Sequence, residues 1–162
     1  MVVLMNKLLL ILLFNIVTYL NASDNSYTFL VNKYNKEIEL EAKIISNIVN
    51  DLNFTSKPSI FIPNITQIEK NIYSALFNIT DSCGDANFIF IKSDKLDEFK
   101  ECEKLKDKIF FTNNYDLLLK NSHFIGAFFW SKSRPNIVFV KNRLISNNIK
   151  LPESYDKFVE EF

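Results

Sequence analysis

Glycine, histidine and cysteine are all scarce in this sequence of 162 residues, and each scarcity excludes a kind of site. The two glycines, Gly84 and Gly126, cannot form a phosphate-binding loop or the glycine-rich turn of a dinucleotide-binding unit. The single histidine, His123, belongs to no Ser-His-Asp or Cys-His pattern, and we interpret it as an ordinary loop or capping residue. No spacing singles out a pair of acidic residues. We therefore expect no enzyme, no catalytic residue, no cofactor and no metal site.

An excess of positive charge is also missing. The 19 lysines and arginines are matched by 19 acidic residues, and no basic stripe runs through the chain. This balance argues against nucleic-acid binding.

The first 22 residues have the pattern of a secretory signal peptide. Lys7 precedes an apolar run from Leu8 to Tyr19, and the small residue Ala22 ends it. The alternative is an uncleaved membrane anchor, because Leu20 is large for a cleavage site and the run is nearly long enough to span a bilayer. The composition is typical of an AT-rich bacterial genome, so we expect cleavage near Ala22 and a single periplasmic α/β domain over residues 23–162.

Apolar periodicity predicts two helices in the first half of that domain. Residues 36–52 repeat apolar side chains at helical spacing, and residues 66–77 do the same. Thr66 and Glu69 have the spacing of a capping box at the start of the second helix.

Apolar runs bounded by turn residues predict five strands, at 59–62, 86–91, 108–112, 125–130 and 136–140. Helices are predicted after the second and third runs, which implies parallel pairing. Residues 131–135 are too few for a crossover, so the last two runs are predicted to form an antiparallel hairpin. A helical turn is predicted at 142–148, and Pro152 is predicted to begin a terminal helix over 153–162. The predicted fold is a single-domain α/β layered mixed sheet, mostly parallel with a C-terminal antiparallel hairpin.

The only cysteines, Cys83 and Cys102, are predicted to form a disulfide. An exported protein meets an oxidising compartment, and the predicted strand and helix return Cys102 to the end of the unit where Cys83 lies. The alternative is a pair of separated thiols.

The run from Gly126 to Trp130 is the most distinctive in the sequence, and alternation sends its aromatic residues to both faces of a sheet. One interpretation is a strand buried on both faces. The other is a partner-binding edge formed by Trp130 with Lys132 and Arg134 in the adjoining turn, since tryptophan and arginine are enriched at binding hot spots.

A second candidate is Asn53, within Asp51-Leu52-Asn53-Phe54-Thr55. This segment is similar to the acceptor of some bacterial N-glycosylation systems. Chance is the competing explanation in a chain rich in asparagine.

The order of elements resembles that of the YfiR-like periplasmic proteins. In both, a cysteine (here Cys83) opens a strand followed by a helix, a short strand (here Lys108–Thr112) and a glycine-containing strand (here at Gly126). Asn136-Ile137-Val138-Phe139-Val140-Lys141-Asn142 resembles the family's "I-x-F-E-I-N" strand.

Two further segments carry the resemblance, and two depart from it. Ile149–Tyr155 is similar to a degenerate form of the family's "A-G-L-x-I-S-S-x-L-L", and Glu41–Ile48 is similar to its early "K-A-x-x-I-x-x-F" helix. The family's aromatic-Trp-Pro segment is replaced by Leu52-Asn53-Phe54, and its Gly-Leu by Asn148-Ile149.

The resemblance implies a periplasmic regulator that binds the outer part of an inner-membrane signalling protein, typically a diguanylate cyclase, and restrains it. It also implies that the redox state of the cysteines tunes this binding. We expect a non-catalytic binding and regulatory protein, with a homodimer left open. The alternative is a periplasmic small-molecule-binding protein associated with transport, because parallel α/β sheets present ligand crevices at strand ends.

Overall fold

The computed structural model describes residues 30–52, 54, 58–92 and 96–162. The predicted signal peptide, residues 1–22, and the candidate glycosylation site Asn53 lie outside the described residues. The chain divides into two compact units, Met1–Ile38 and Glu39–Phe162. The described residues of the first unit, 30–38, are helical, and the Lys33 ammonium lies 3.9 Å from the Glu37 carboxylate one turn away.

Helices and strands alternate along the second unit. Helix α1 covers residues 30–51, so its larger part belongs to this unit. The strands are β1 (Ser59–Phe61), β2 (Asn78–Ile79), β3 (Phe88–Ile91), β4 (Ile109–Thr112), β5 (Phe124–Ser131), β6 (Arg134–Val140) and β7 (Val159–Glu160). The other helices are α2 (Gln67–Ser74), α3 (Leu96–Cys102), α4 (Tyr115–Lys120) and α5 (Lys141–Ser146), and short 3₁₀ turns lie at Cys83–Asp85 and Glu153–Phe158.

The described strands form one sheet in the order β2-β1-β3-β4-β5-β6-β7. The first five of these are parallel, β5 and β6 are antiparallel, and β6 and β7 are parallel. The predicted α/β mixed sheet with an antiparallel hairpin is therefore confirmed. The two shortest strands, β2 and β7, were not predicted, because two residues leave no alternation pattern to detect.

Both faces of the sheet are buried, and β3 illustrates this best. All four of its residues are buried. Ile89 and Ile91 belong to a core cluster with Phe99 of α3 and Leu118 of α4. Phe88 and Phe90 point to the opposite face, where their ring centroids lie 5.8 and 6.4 Å from that of Phe111. Helices cover the sheet from both sides, as parallel strands require.

Hydrogen bonds close the ends of two helices. The predicted capping box is present at α2, since the Thr66 hydroxyl accepts from the Glu69 amide and the Glu69 carboxylate accepts from the Thr66 amide. At the end of α4, the Arg143 guanidinium donates to three backbone oxygens, those of Leu118, Asn121 and Phe124, at 2.8 to 2.9 Å. Arg143 therefore satisfies carbonyls that the end of a helix leaves without partners.

The turn between β5 and β6 is tighter than predicted. Ser131 pairs with Arg134 and Trp130 with Pro135, so only Lys132 and Ser133 form the loop. Their φ angles are 49° and 60°, which is the left-handed conformation that two-residue hairpins need to match the twist of the strands.

The prediction of a terminal helix over residues 153–162 is wrong. A 3₁₀ turn at Glu153–Phe158 leads into β7, where Val159 pairs with Phe139. Tyr155 contacts Asp51 through its hydroxyl at 2.7 Å and packs its ring edge against Phe139. These long-range contacts, and the open side of β6, outweigh the helical preference of a short terminal segment.

Gly126 is required by the close approach of β6 to β5. A Cβ atom at this position would lie 2.5 Å from the Val138 carbonyl oxygen and 2.6 Å from the ring of Phe111. We expect Gly126→Ala to lower the free energy of unfolding by about 2–3 kcal/mol, because a packed core has to shift. Chemical denaturation measures this.

Gly84→Ala is the matched control, since a Cβ there meets only the Ser82 hydroxyl at 3.4 Å. It should change stability by less than about 0.5 kcal/mol. Equal losses in the two variants would contradict the steric argument.

Candidate functional site

The hairpin tip, defined as Trp130, Lys132 and Arg134, lies on the surface at the far end of β5 and β6. The Trp130 side chain is 37% exposed although it is the largest residue of the strand. One side of its indole contacts the ring of Phe128 in an edge-on arrangement, with 5.8 Å between centroids. Lys132 and Arg134 are both exposed. Because Trp130 pairs with Pro135 and Arg134 with Ser131, Trp130 and Arg134 lie on opposite faces of the hairpin.

The interpretation of a strand buried on both faces applies to the first part of β5. Residues 124–128 are fully buried, Phe129 is half-buried, and Trp130 and Ser131 are exposed. The first five residues thus form core, and the strand leaves the core at its last two. The assignment of the tip as a partner-binding surface stays a prediction.

The edge of β6 beside the tip is unsuited to pairing with another strand. Strand β7 covers β6 only at Phe139 and Val140, so residues 134–137 pair with β5 on one side and have no described strand on the other. Pro135 has no amide proton, and the Asn136 side chain donates to the Arg134 carbonyl at 2.9 Å. Because proline blocks strand addition at an edge, a partner at this surface has to be bound through side chains.

The two cysteines are brought together as predicted. Cys83 opens the 3₁₀ turn before β3 and Cys102 is the last residue of α3, and their Cα atoms lie 5.9 Å apart. Their sulfur atoms stand at a distance compatible with a disulfide. The pair joins the end of α3 to the turn that precedes β3. Cys102 is buried and Cys83 is half-buried.

His123 has contacts typical of a loop residue. It is exposed, its Nδ1 lies 2.9 Å from the Asn121 side-chain oxygen, and its ring packs edge-on against Phe99 and Phe110. These contacts hold the imidazole at the surface beside the two phenylalanine rings.

Sequence reasoning missed a charged cluster in the interior, which we call the Lys92 cluster. Lys92 follows the last residue of β3, and its ammonium contacts Glu69 of α2 and lies 2.9 Å from Glu41 of α1. Tyr73 donates its hydroxyl proton to Glu41 at 2.9 Å, and the Thr66 hydroxyl donates to Glu69 at 2.7 Å. The charged side chains are only 8 to 14% exposed. Removal of one partner would leave a buried charge unpaired, which is strongly destabilising.

The charges in the Lys92 cluster support one another. Burial alone would raise the pKa of Glu69, but hydrogen bonds from Lys92 and Thr66 bring it below the ordinary value. Burial alone would lower the pKa of Lys92, but Glu41 and Glu69 raise it above the ordinary value. Burial and the neighbouring Glu41 raise the pKa of Tyr73, which stays a neutral donor. The cluster therefore keeps the Lys92 ammonium beside the Glu69 carboxylate at neutral pH.

The Lys92 cluster lies where the sheet changes direction. After β1 the chain continues to β2 on one side, and after β3 it continues to β4 on the other side, so the strand order reverses between β1 and β3. Ligand crevices of open α/β sheets form at such a point. Here the polar groups satisfy one another, which is typical of a structural ion network.

Among the described residues, no group of three or more His, Cys, Asp or Glu side chains is placed to hold a metal ion. No helix in the described ranges has the length and hydrophobicity to cross a membrane.

A solved structure shares the fold. The chain is similar to a structure titled as a conserved domain protein from Vibrio cholerae O1 biovar eltor strain N16961, with a TM-score of 0.56 and 8% sequence identity. The match covers 76% of this chain and 59% of that one, and at such identity it concerns the fold alone. Neither a family model nor a curated protein matches the sequence.

The Lys92 cluster predicts a loss of stability in acid. Because folding lowers the pKa of Glu69, its contribution to stability is present above the ordinary value of 4.5 and is lost as pH falls through the lower folded value. We expect the free energy of unfolding to decrease below about pH 4.5 in the wild type. In Glu69→Gln this part of the decrease should disappear, with stability at pH 7 lower by about 1–3 kcal/mol.

Glu39→Gln is the control, because Glu39 is an exposed carboxylate on α1. Its pH profile of stability should follow the wild type. A Glu69→Gln profile that also follows the wild type would show that the cluster does not set the acid response.

The paired cysteines predict a disulfide bond in the native protein. Intact mass measured without reductant should be lower by two hydrogens than the mass after reduction. Reduction should lower the free energy of unfolding by about 3 kcal/mol, the chain-entropy value for a loop of this length. Two thiols that alkylate freely in the native protein would contradict the prediction.

Proposed function

We propose that this chain is a non-catalytic periplasmic binding domain that regulates an inner-membrane signalling protein, such as a diguanylate cyclase, through its hairpin tip. One observation carries the proposal: Trp130 is 37% exposed at the end of a hairpin that also carries the exposed cations Lys132 and Arg134. Exposed tryptophan beside arginine is the composition of a binding hot spot.

The signal peptide and the cysteines support the location. Residues 1–22 have the pattern of an export signal. A cysteine pair at disulfide distance suits an oxidising compartment such as the periplasm. The resemblance to the YfiR-like proteins agrees with both features and suggests that oxidation of the pair tunes binding.

The chemistry of the hairpin tip suggests the surface that it recognises. Lys132 and Arg134 favour acidic side chains, and the indole of Trp130 favours an apolar recess. The two-residue turn sets the position of Lys132 at the end of the hairpin.

A small-molecule-binding protein is the second candidate. The strand order of the parallel part, β2-β1-β3-β4-β5, favours it, because open sheets of this order bind ligands at the point where the order reverses. A purified wild-type protein that captures no membrane partner would favour this candidate.

Charge reversal at the hairpin tip tests the regulatory proposal without disturbing the core. We expect Lys132→Glu/Arg134→Glu to stay folded, because both residues are exposed, and to lose most of its affinity for the partner's extracytoplasmic part. Cross-linking in living cells identifies the partner, and calorimetry with its purified outer domain gives the affinity. If the protein restrains a cyclase, the variant should raise cellular cyclic di-GMP as deletion of the gene does.

Lys104→Glu is the matched control, since Lys104 is an exposed cation remote in sequence from the tip. This variant should bind and restrain the partner as the wild type does. His123→Ala should behave in the same way. A folded Lys132→Glu/Arg134→Glu variant that keeps full affinity would exclude the hairpin tip.

A further inference from the structure

We propose that a polar pocket at the amino end of β4 binds a neutral polyhydroxylated small molecule of the saccharide class. The pocket lies between the segment that enters β4 and the end of α5, and its volume is about 360 Å³. Ligand pockets begin at about this size. The site is separate from the hairpin tip, so the proposal does not depend on the regulatory function.

The walls carry exposed hydrogen-bonding side chains that a ligand can reach. Asp107 and Asn148 line the pocket, and within the described part of the chain no hydrogen bond engages either side chain. Asn147, also on the wall, donates its amide to the Arg143 carbonyl at 2.8 Å, which leaves its side-chain oxygen as an acceptor. A carboxylate and two amides side by side provide the acceptors and donors that vicinal hydroxyl groups need.

The charges on the wall disfavour an ionic ligand. The Lys108 ammonium is fixed in place by the carbonyls of Gly84 and Ala86, both at 2.7 Å. Asp107 and Lys108 carry opposite charges, so the lining has no net charge that would favour an ion. Phe54 adds an apolar surface to the same pocket, which suits the C–H face of a sugar ring.

The backbone conformation at Asp107 and Asn148 is also open to glycine. Asp107 and Asn148 have φ angles of 60° and 53°, a conformation that glycine adopts at lowest cost. Asn148 ends α5 in the usual left-handed cap, with the Ile149 amide donating to the Leu144 carbonyl at 2.9 Å. Glycine would serve either turn, so it can replace both residues and remove their side chains without straining the fold.

The experiment compares the wild type with Asp107→Gly/Asn148→Gly. Amide chemical shifts are followed by NMR during titration with D-glucose and with N-acetylglucosamine, and separately with glucose 6-phosphate and putrescine. We expect the neutral sugars to shift the amides of residues 107–109 and 146–148 in the wild type. In the variant their affinity should fall about tenfold or more, while the melting temperature stays equal or rises.

Ser133→Gly is the matched control, because Ser133 has a φ of 60° in the distant hairpin turn. It should bind the sugars like the wild type. The proposal is overturned if neither sugar shifts the pocket amides, if only the charged probes do, or if the glycine variant binds as tightly as the wild type. Loss of the hairpin-tip function would leave all of these outcomes unchanged.

Discussion

The antiparallel pairing of β5 with β6 is the contact on which the C-terminal half of the structure depends. The two backbones approach so closely at Gly126 that no side chain fits between the Val138 carbonyl and the rings beside it. This pairing reverses the direction of an otherwise parallel run of strands. It also leaves β6 with a free side, to which β7 adds at Phe139 and Val140.

The same pairing positions the candidate partner surface. Buried residues fill β5 as far as Phe128, and the strand then continues beyond the helices that cover the sheet. Trp130 therefore rests on Phe128 on one side and meets solvent on the other. Lys132 lies in the two-residue turn that follows β5. Pro135 lacks an amide proton and so disfavours addition of another strand to the exposed edge of β6. An exposed aromatic side chain is thus presented without the aggregation risk of an open edge.

The two ends of the parallel strands differ in their chemistry. At the carboxyl ends, Lys92 is held between Glu41 and Glu69, and the buried charges are satisfied within the protein. At the amino ends, Lys108 binds backbone carbonyls while Asp107 and Asn148 face the pocket with no partner in the described ranges. A satisfied network stabilises and orients helices α1 and α2 against β3. Exposed polar groups in a concave surface are available to a ligand.

The sequence by itself indicated five of the seven described strands, the parallel or antiparallel pairing among them and the proximity of Cys83 to Cys102, because apolar period, turn residues and connection length are local properties. It did not reveal the Lys92 cluster, whose members come from α1, α2 and β3 and meet only in the folded chain. Nor did it reveal the pocket beside Asp107. The terminal helix predicted over residues 153–162 is absent for the same reason, because contacts of Tyr155 and Val159 with distant residues decide the conformation of this segment. Short-range patterns specify elements, whereas sites depend on which elements the sheet order brings side by side.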